Sequence, residues 1–314
     1  AFFRVTLMTT PDLAAIAEVL MVSQGFADAR ALARKLVLFY KLAGDLLGNE
    51  DHDWGVRTLR RVLEFVGQRR LAAKLQGVAI NETAALCNSL DQYNLARMCT
   101  QLERDQYSEL FKHVFGESNF ERDETEDADG VYTEHIMAAA DDMDLRHNEE
   151  FCKSVEAVGE LLMLRRTVLL VGAAGTGKSV HWQTLKAARD KAGLQKTRII
   201  RLNPSAEGDS LFGGFSGGIR KFNEGILPRM LRNIQTEESL VPSDDNILES
   251  ERIWIVLDGP MSPDQCTTFM TAMDGGDLQL LDGGRVPVSN RINFICECTT
   301  LDWLTQGMTA RSSI

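Results

Sequence analysis

No stretch of the 314 residues is apolar for long enough to cross a membrane, so a membrane-spanning role is not expected. The opening AFFRVTLMTTPDL shows a short apolar patch without a cleavage pattern, and no secretory leader is expected either. Basic residues are outnumbered, 34 Lys and Arg against 45 Asp and Glu, and the net charge of −11 argues against a broad nucleic-acid surface. The six cysteines are scattered, and none has zinc-ligand spacing. Cys296 and Cys298 alone are close, and on a strand they would share a face; we read all six as reduced, mostly buried thiols of a cytoplasmic protein. What remains is a globular composition, 44% hydrophobic and 25% charged, at a length that allows two domains.

The strongest signal present is Gly172 to Ser179, GAAGTGKS, which fits G-x-x-x-x-G-K-[S/T] without a mismatch. An apolar run, Thr167 to Val171, precedes it and reads as a buried strand. Val180 to Ala192 follows without glycine or proline and has helical periodicity. Strand, glycine-rich turn and helix are the context in which Gly172, Ala173, Ala174, Gly175, Thr176, Gly177, Lys178 and Ser179 can wrap a phosphate chain. Backbone N–H groups and the helix dipole face the anion, Lys178 reaches the outer phosphates, and the Ser179 hydroxyl ligates Mg²⁺. The expected cofactors are ATP (or ADP) and Mg²⁺.

Upstream, helical periodicity runs from Pro11 to about Leu75. Expected helices cover 12–20, Asp28 to Leu47, and Gly55 to Val66, the last with Leu59, Val62, Leu63 and Val66 inward. Leu86 to Phe115 continues in helices with short breaks. Residues 117–130, ESNFERDETEDADG, are acidic and nearly free of aliphatics, which reads as a solvated loop; the acids lack calcium-loop spacing. From Val131 to Leu164 the pattern is helical again and leads into the phosphate-loop strand. Further strands are expected at Thr197 to Leu202, Ile253 to Leu257 and Ile292 to Cys296, with a hairpin between Leu278 and Val288. Gly213 to Gly218 reads as a glycine-rich connector. The expected fold is α/β: a P-loop NTPase (AAA+) parallel sheet with flanking helices, preceded by an all-α helical subdomain. The divisions are 1–116 helical, 117–130 acidic loop, and 131–314 the α/β subdomain.

IWIVLDG ends a strand at Asp258, the expected second Mg²⁺ group. Hydrolytic members of the AAA+ superfamily place a glutamate next, to activate water. Here Gly259 and Pro260 follow, and neither can act as a base. Asp264 is the nearest acid, beyond a turn. The expectation is an ATP site that binds with little or no hydrolysis. Thr299, just past the last strand, is a sensor candidate, and Arg311 stands where such modules carry a finger for a neighbour's site.

Nearly the whole chain resembles dynein heavy chains. Residues 11–66 are similar to the helical small subdomain closing the first AAA+ module of the motor ring. Residues 131–314 resemble the large subdomain of the second module, through GTGKSVHWQTL, LNPSAEGDSLFGGFSGGIRKFNEGIL, WIVLDGPM and LLDGGRVPV. The resemblance implies a structural or regulatory site that holds ATP without turning it over, since Asp-Gly-Pro at the metal strand is typical of that second module. It implies that Arg57, in GVRTL, is the sensor arginine of the preceding module. It also implies that Arg311 is the finger supplied to the first module's hydrolytic site, although the family's Ser-Arg-Cys-Gly is here Ala310-Arg311-Ser312-Ser313.

Implied partners are the remaining AAA+ modules of the same heavy chain, microtubules through a stalk absent here, and dynein intermediate and light chains through an absent tail. No nucleic acid or membrane is expected. The implied location is the cytoplasm and cytoskeleton, or the axoneme of a cilium or flagellum. The alternative is an independently active AAA+ ATPase of a non-dynein remodelling ring.

Overall fold

The computed structural model describes residues 11–47, 54–75, 81–95, 98, 101–116, 133–146, 148–194, 196–215, 221–240, 251–273, 276–304, 306–309 and 311–312. The acidic stretch 117–130 lies outside them. The chain divides into two compact units, Ala1–Asp123 and Glu124–Ile314.

The first unit contains α1 (Leu13–Ser23), α2 (Ala29–Leu47), α3 (Val56–Leu75), α4 (Glu82–Leu95) and α5 (Gln101–Phe115). Asp12 caps α1, its carboxylate accepting from the amides of Ala14 at 2.9 Å and Ala15 at 3.3 Å. Along α2, Leu32, Ala33, Leu36, Phe39, Tyr40 and Ala43 form one buried ridge at helical spacing. Phe39 is its centre. Its ring meets Tyr107, Phe111 and Phe115 of α5 at centroid distances of 5.4, 5.5 and 5.7 Å, and Trp54 at 6.4 Å. The near-perpendicular pairings place ring edges against ring faces, as the aromatic quadrupole favours.

The third helix is longer than its periodicity predicts, running to Leu75 instead of stopping at Val66. A Cβ on Gly67 would stand 1.9 Å from the Gln24 side chain, so this glycine allows close passage at the end of α1 and does not end the helix. Glu82, at the start of α4, accepts from the amides of Ala27 and Asp28 and from Arg70 at 2.8 Å. Arg70 also stacks 4.2 Å from the centre of the Phe26 ring.

The second unit opens with α6 (Thr133–Asp142) and α7 (Glu149–Leu164). The uninterrupted helical pattern is broken between them. Asp144 turns the chain with φ 53°, and Asn148 then caps α7 by accepting from the Phe151 amide at 2.8 Å. There follow β1 (Thr167–Val171), α8 (Lys178–Lys191), β2 (Thr197–Leu202), α9 (Pro204–Glu207), β3 (Gly213–Phe215), β4 (Phe222–Glu224) and α10 (Ile226–Leu240). The unit continues with β5 (Arg252–Asp258), α11 (Pro263–Met273), β6 (Leu278–Gln279), β7 (Arg285–Val286), β8 (Ile292–Cys298) and α12 (Gln306–Thr309).

The main sheet has the order β1-β8-β5-β2 and every pairing in it is parallel. This is the P-loop NTPase sheet expected from strands alternating with helices. Val155, Trp182 and Leu185 cover one face, against Val168, Trp254, Val256 and Ile295. Leu231, Phe269 and Ala272 cover the other, against Ile253, Leu257, Phe294 and Cys296. All seven residues of β8 are buried, as a central parallel strand requires.

The β6–β7 hairpin forms where expected, with Leu278 opposite Val286. Of the glycine-rich stretch read as a connector, Gly213–Phe215 forms β3 and pairs antiparallel with β4, while 216–218 lie outside the described residues.

Candidate functional site

The carboxyl ends of β1, β5 and β8 meet beside the start of α8. Backbone bonds fix them there: the Gly172 amide donates to the Cys298 carbonyl at 3.1 Å, and the Gly259 amide to the Glu297 carbonyl at 3.0 Å. The phosphate-loop sequence is thus tied to the end of β8.

Within the loop, Gly177 has φ +85° and is the residue preceding α8, a conformation that side-chain-bearing residues rarely adopt. At Gly172 a Cβ would stand 2.7 Å from the Thr176 hydroxyl. That hydroxyl donates to the Ala173 carbonyl at 2.9 Å. Lys178 folds back so that its ammonium donates to the carbonyls of Gly172 at 2.6 Å and Ala173 at 2.8 Å. The glycines are therefore demanded by the turn itself, and the lysine is held at the loop.

His181, one turn into α8, braces the same loop. Its Nδ1 lies 2.7 Å from the Gly177 carbonyl and its Nε2 lies 2.9 Å from Ser154 Oγ on α7. A carbonyl can only accept, so Nδ1 carries the proton in that bond.

Asp258 ends β5, and its carboxylate pairs with Arg201 at 3.2 Å, both side chains about half exposed. Glu297 of β8 stands directly opposite Asp258 in the strand register. Sequence reasoning missed it by ending the strand at Cys296 and looking past it to Thr299. The signal was present: one acid inside the apolar run Ile292 to Cys298, on the same alternation as Asn293 and Ile295. Glu297 is 4% exposed. Its Oε2 accepts from the Ser179 hydroxyl at 2.7 Å, and its Oε1 from the Trp182 indole N–H at 2.6 Å.

Thr299 lies just beyond β8 and is exposed. Asp264 opens α11 and faces a different space, a cavity of about 790 Å³ also lined by Phe212, Phe215, Ile226, Gln265 and Leu281. Arg311 is half-buried and folds back, its guanidinium donating to the Gly307 carbonyl at 2.6 Å. Arg57 is exposed in the first turn of α3, in the other unit.

The donor set at the loop suits a hard cation. The Ser179 hydroxyl and the Asp258 carboxylate are oxygen ligands of the kind that Mg²⁺ prefers, usually shared with phosphate and water. Among the described residues no group of three or more His, Cys, Asp or Glu could cage a metal by protein alone. Cys296 and Cys298 are buried free thiols whose pKa values burial pushes up; for Cys298 the nearby Trp303 indole and Lys178 charge offset only part of that rise. Buried protonated thiols suit neither redox exchange nor metal binding. No helix among the described residues is long and apolar enough to cross a membrane.

Comparison with known proteins shows the family. Residues 1–179 match the family model described as the hydrolytic ATP binding site of the dynein motor region. Residues 167–312 match an AAA domain of the dynein-related subfamily. The chain is 29% identical over its whole length to the ciliary dynein beta chain of Tripneustes gratilla, of which it covers 7%. It is 27% identical to the flagellar outer-arm dynein beta chain of Chlamydomonas reinhardtii, covering 6%. The same alga's cytoplasmic dynein 2 heavy chain 1 is 29% identical over 98% of this chain and 7% of its own length.

Proposed function

Because the chain belongs to the dynein motor-region family of AAA ATPases, we propose that its second unit is the ring's second module, holding ATP and Mg²⁺ with little or no hydrolysis. Gly172 to Gly177 and Lys178 hold the phosphates. Ser179 and Asp258 hold Mg²⁺, which when bound neutralises phosphate charge.

The observation that supports this reading is that, among the described residues, no free carboxylate follows Asp258 at the phosphate loop. Gly259 and Pro260 follow Asp258, and Asp264 faces another cavity. Glu297 is near, but both of its oxygens are committed, to Ser179 and to Trp182. A group that activates water must be able to accept its proton.

The module then acts structurally. Bound nucleotide stiffens it, and Arg311 is the finger presented to the first module, where it stabilises charge on the transferring phosphoryl group. Arg57 is the sensor of that first module, and Thr299 the sensor candidate of the second. The parent is a microtubule motor of the cytoskeleton, in cytoplasm or in a cilium or flagellum. Its partners are the other modules of the heavy chain, microtubules, and intermediate and light chains.

Single-turnover hydrolysis at saturating Mg-ATP tests the proposal. Tight binding with no turnover on the minute scale is expected, and turnover within the ordinary range of about 1–10³ per second would overturn it.

A further inference from the structure

Glu297 is a carboxylate that the proposed reading leaves without a task. It is almost wholly buried, and its two observed partners, Ser179 Oγ and Trp182 Nε1, are both uncharged. Taking an anion out of water is costly unless positive charge compensates for it. Compensation is at hand in two forms. Ser179 is the second residue of α8, so Glu297 lies against the positive end of the helix dipole. The second is a divalent cation at Ser179.

A hydroxyl has one proton and two lone pairs. When Ser179 gives its proton to Glu297, its lone pairs turn away from that carboxylate, and the oxygen gains the electron density that a hard cation prefers. Asp258, opposite Glu297 in the strand register, is meanwhile engaged by Arg201. Trp182 fixes the carboxylate from the other side, so that it cannot swing toward the nucleotide.

We infer that Glu297 is a positioning residue: by accepting the Ser179 proton it aims the hydroxyl at Mg²⁺ and sets the metal dependence of nucleotide binding. This rests on the reading of the loop as a nucleotide site.

The test is the affinity of the full chain for ATP, titrated with Mg²⁺ and again with excess chelator, for the unaltered protein and for E297Q, S179A and the double variant. The amide keeps the size of Glu297 and removes its charge. We expect E297Q to weaken Mg-ATP by about tenfold or more and to leave metal-free ATP unchanged. S179A should do the same, and the double variant should be no worse than S179A, because both changes break one relay.

Equal loss with and without Mg²⁺ would show Glu297 to be structural and would overturn the inference. So would additive losses, or no loss. Failure of the unaltered chain to bind ATP at all would sink the nucleotide reading and the inference with it. Where E297Q does not fold, the Trp182 indole N–H resonance of the unaltered chain decides. It should shift when Mg²⁺ joins bound ATP, and a resonance that stays put overturns the relay.

Discussion

His181 shows how one side chain can hold a loop made of residues with no side chains to hold it by. The phosphate loop has glycine at 172, 175 and 177, so its shape depends on backbone bonds and on what grips them. The imidazole joins the Gly177 carbonyl to Ser154 of α7, a residue far away in sequence. A buried or half-buried hydrogen bond of this kind contributes about 1 kcal/mol. His181→Ala should therefore weaken ATP binding by roughly fivefold while leaving the melting temperature nearly unchanged. Isothermal titration beside a thermal melt checks both halves of that statement, and a large fall in melting temperature would make His181 a core residue instead. Lys178→Ala acts through charge and should remove measurable binding. Arg311→Ala should leave binding at this site intact. In a heavy chain that carries this segment, it should cut steady-state hydrolysis by about 10³-fold or more, the range measured for finger arginines.

Among the elements, β8 shows what could and could not be read in advance. Its apolar centre, Ile292 to Cys296, announced a buried strand, and so did the runs of β1, β2 and β5. Their parallel order followed from the helices between them. The turn between β1 and α8 and the end of β5 at Asp258 were legible because apolar runs and a glycine-rich motif mark them at a short spacing. Glu297 was not, since its role arises from register: only pairing with β5 sets it opposite Asp258, and only α8 brings Ser179 and Trp182 onto it. The length of α3 was hidden for a similar reason, because Gly67 is needed by Gln24, across the bundle. Asn293 makes the point testable. Its amide donates to the carbonyls of Leu162 at 2.8 Å and Arg165 at 3.3 Å, satisfying the end of α7 from within the sheet. Asn293→Ala strands those buried acceptors and should cost about 1–3 kcal/mol in urea unfolding. Phe39→Ala, at the centre of the aromatic cluster in the first unit, should cost about 3–5 kcal/mol.

At the scale of the whole molecule, buried thiols make both units sensitive to alkali. Burial raises Cys87 in the first unit from 9.0 to about 12, and Cys266 in the second from 9.0 to about 11. Both stay protonated in the fold while an unfolded chain would ionise them. Their contribution to stability is intact below about pH 9 and falls as pH rises through the folded values. Urea midpoints should accordingly be lower at pH 10 than at pH 8, and equal midpoints would contradict the burial of these thiols. Nucleotide should act on one unit alone. The loop, Asp258 and Glu297 all belong to Glu124–Ile314, which has its own sheet and cores. A ligand at a hundred times its dissociation constant stabilises the state that binds it by about 2.7 kcal/mol. Hydrogen exchange with Mg-ATP should therefore slow along β1, the start of α8, β5 and β8, while α2 and α5 exchange as before. Slowing that spread equally through the aromatic cluster around Phe39 would mean that the two units answer to nucleotide as a single cooperative body.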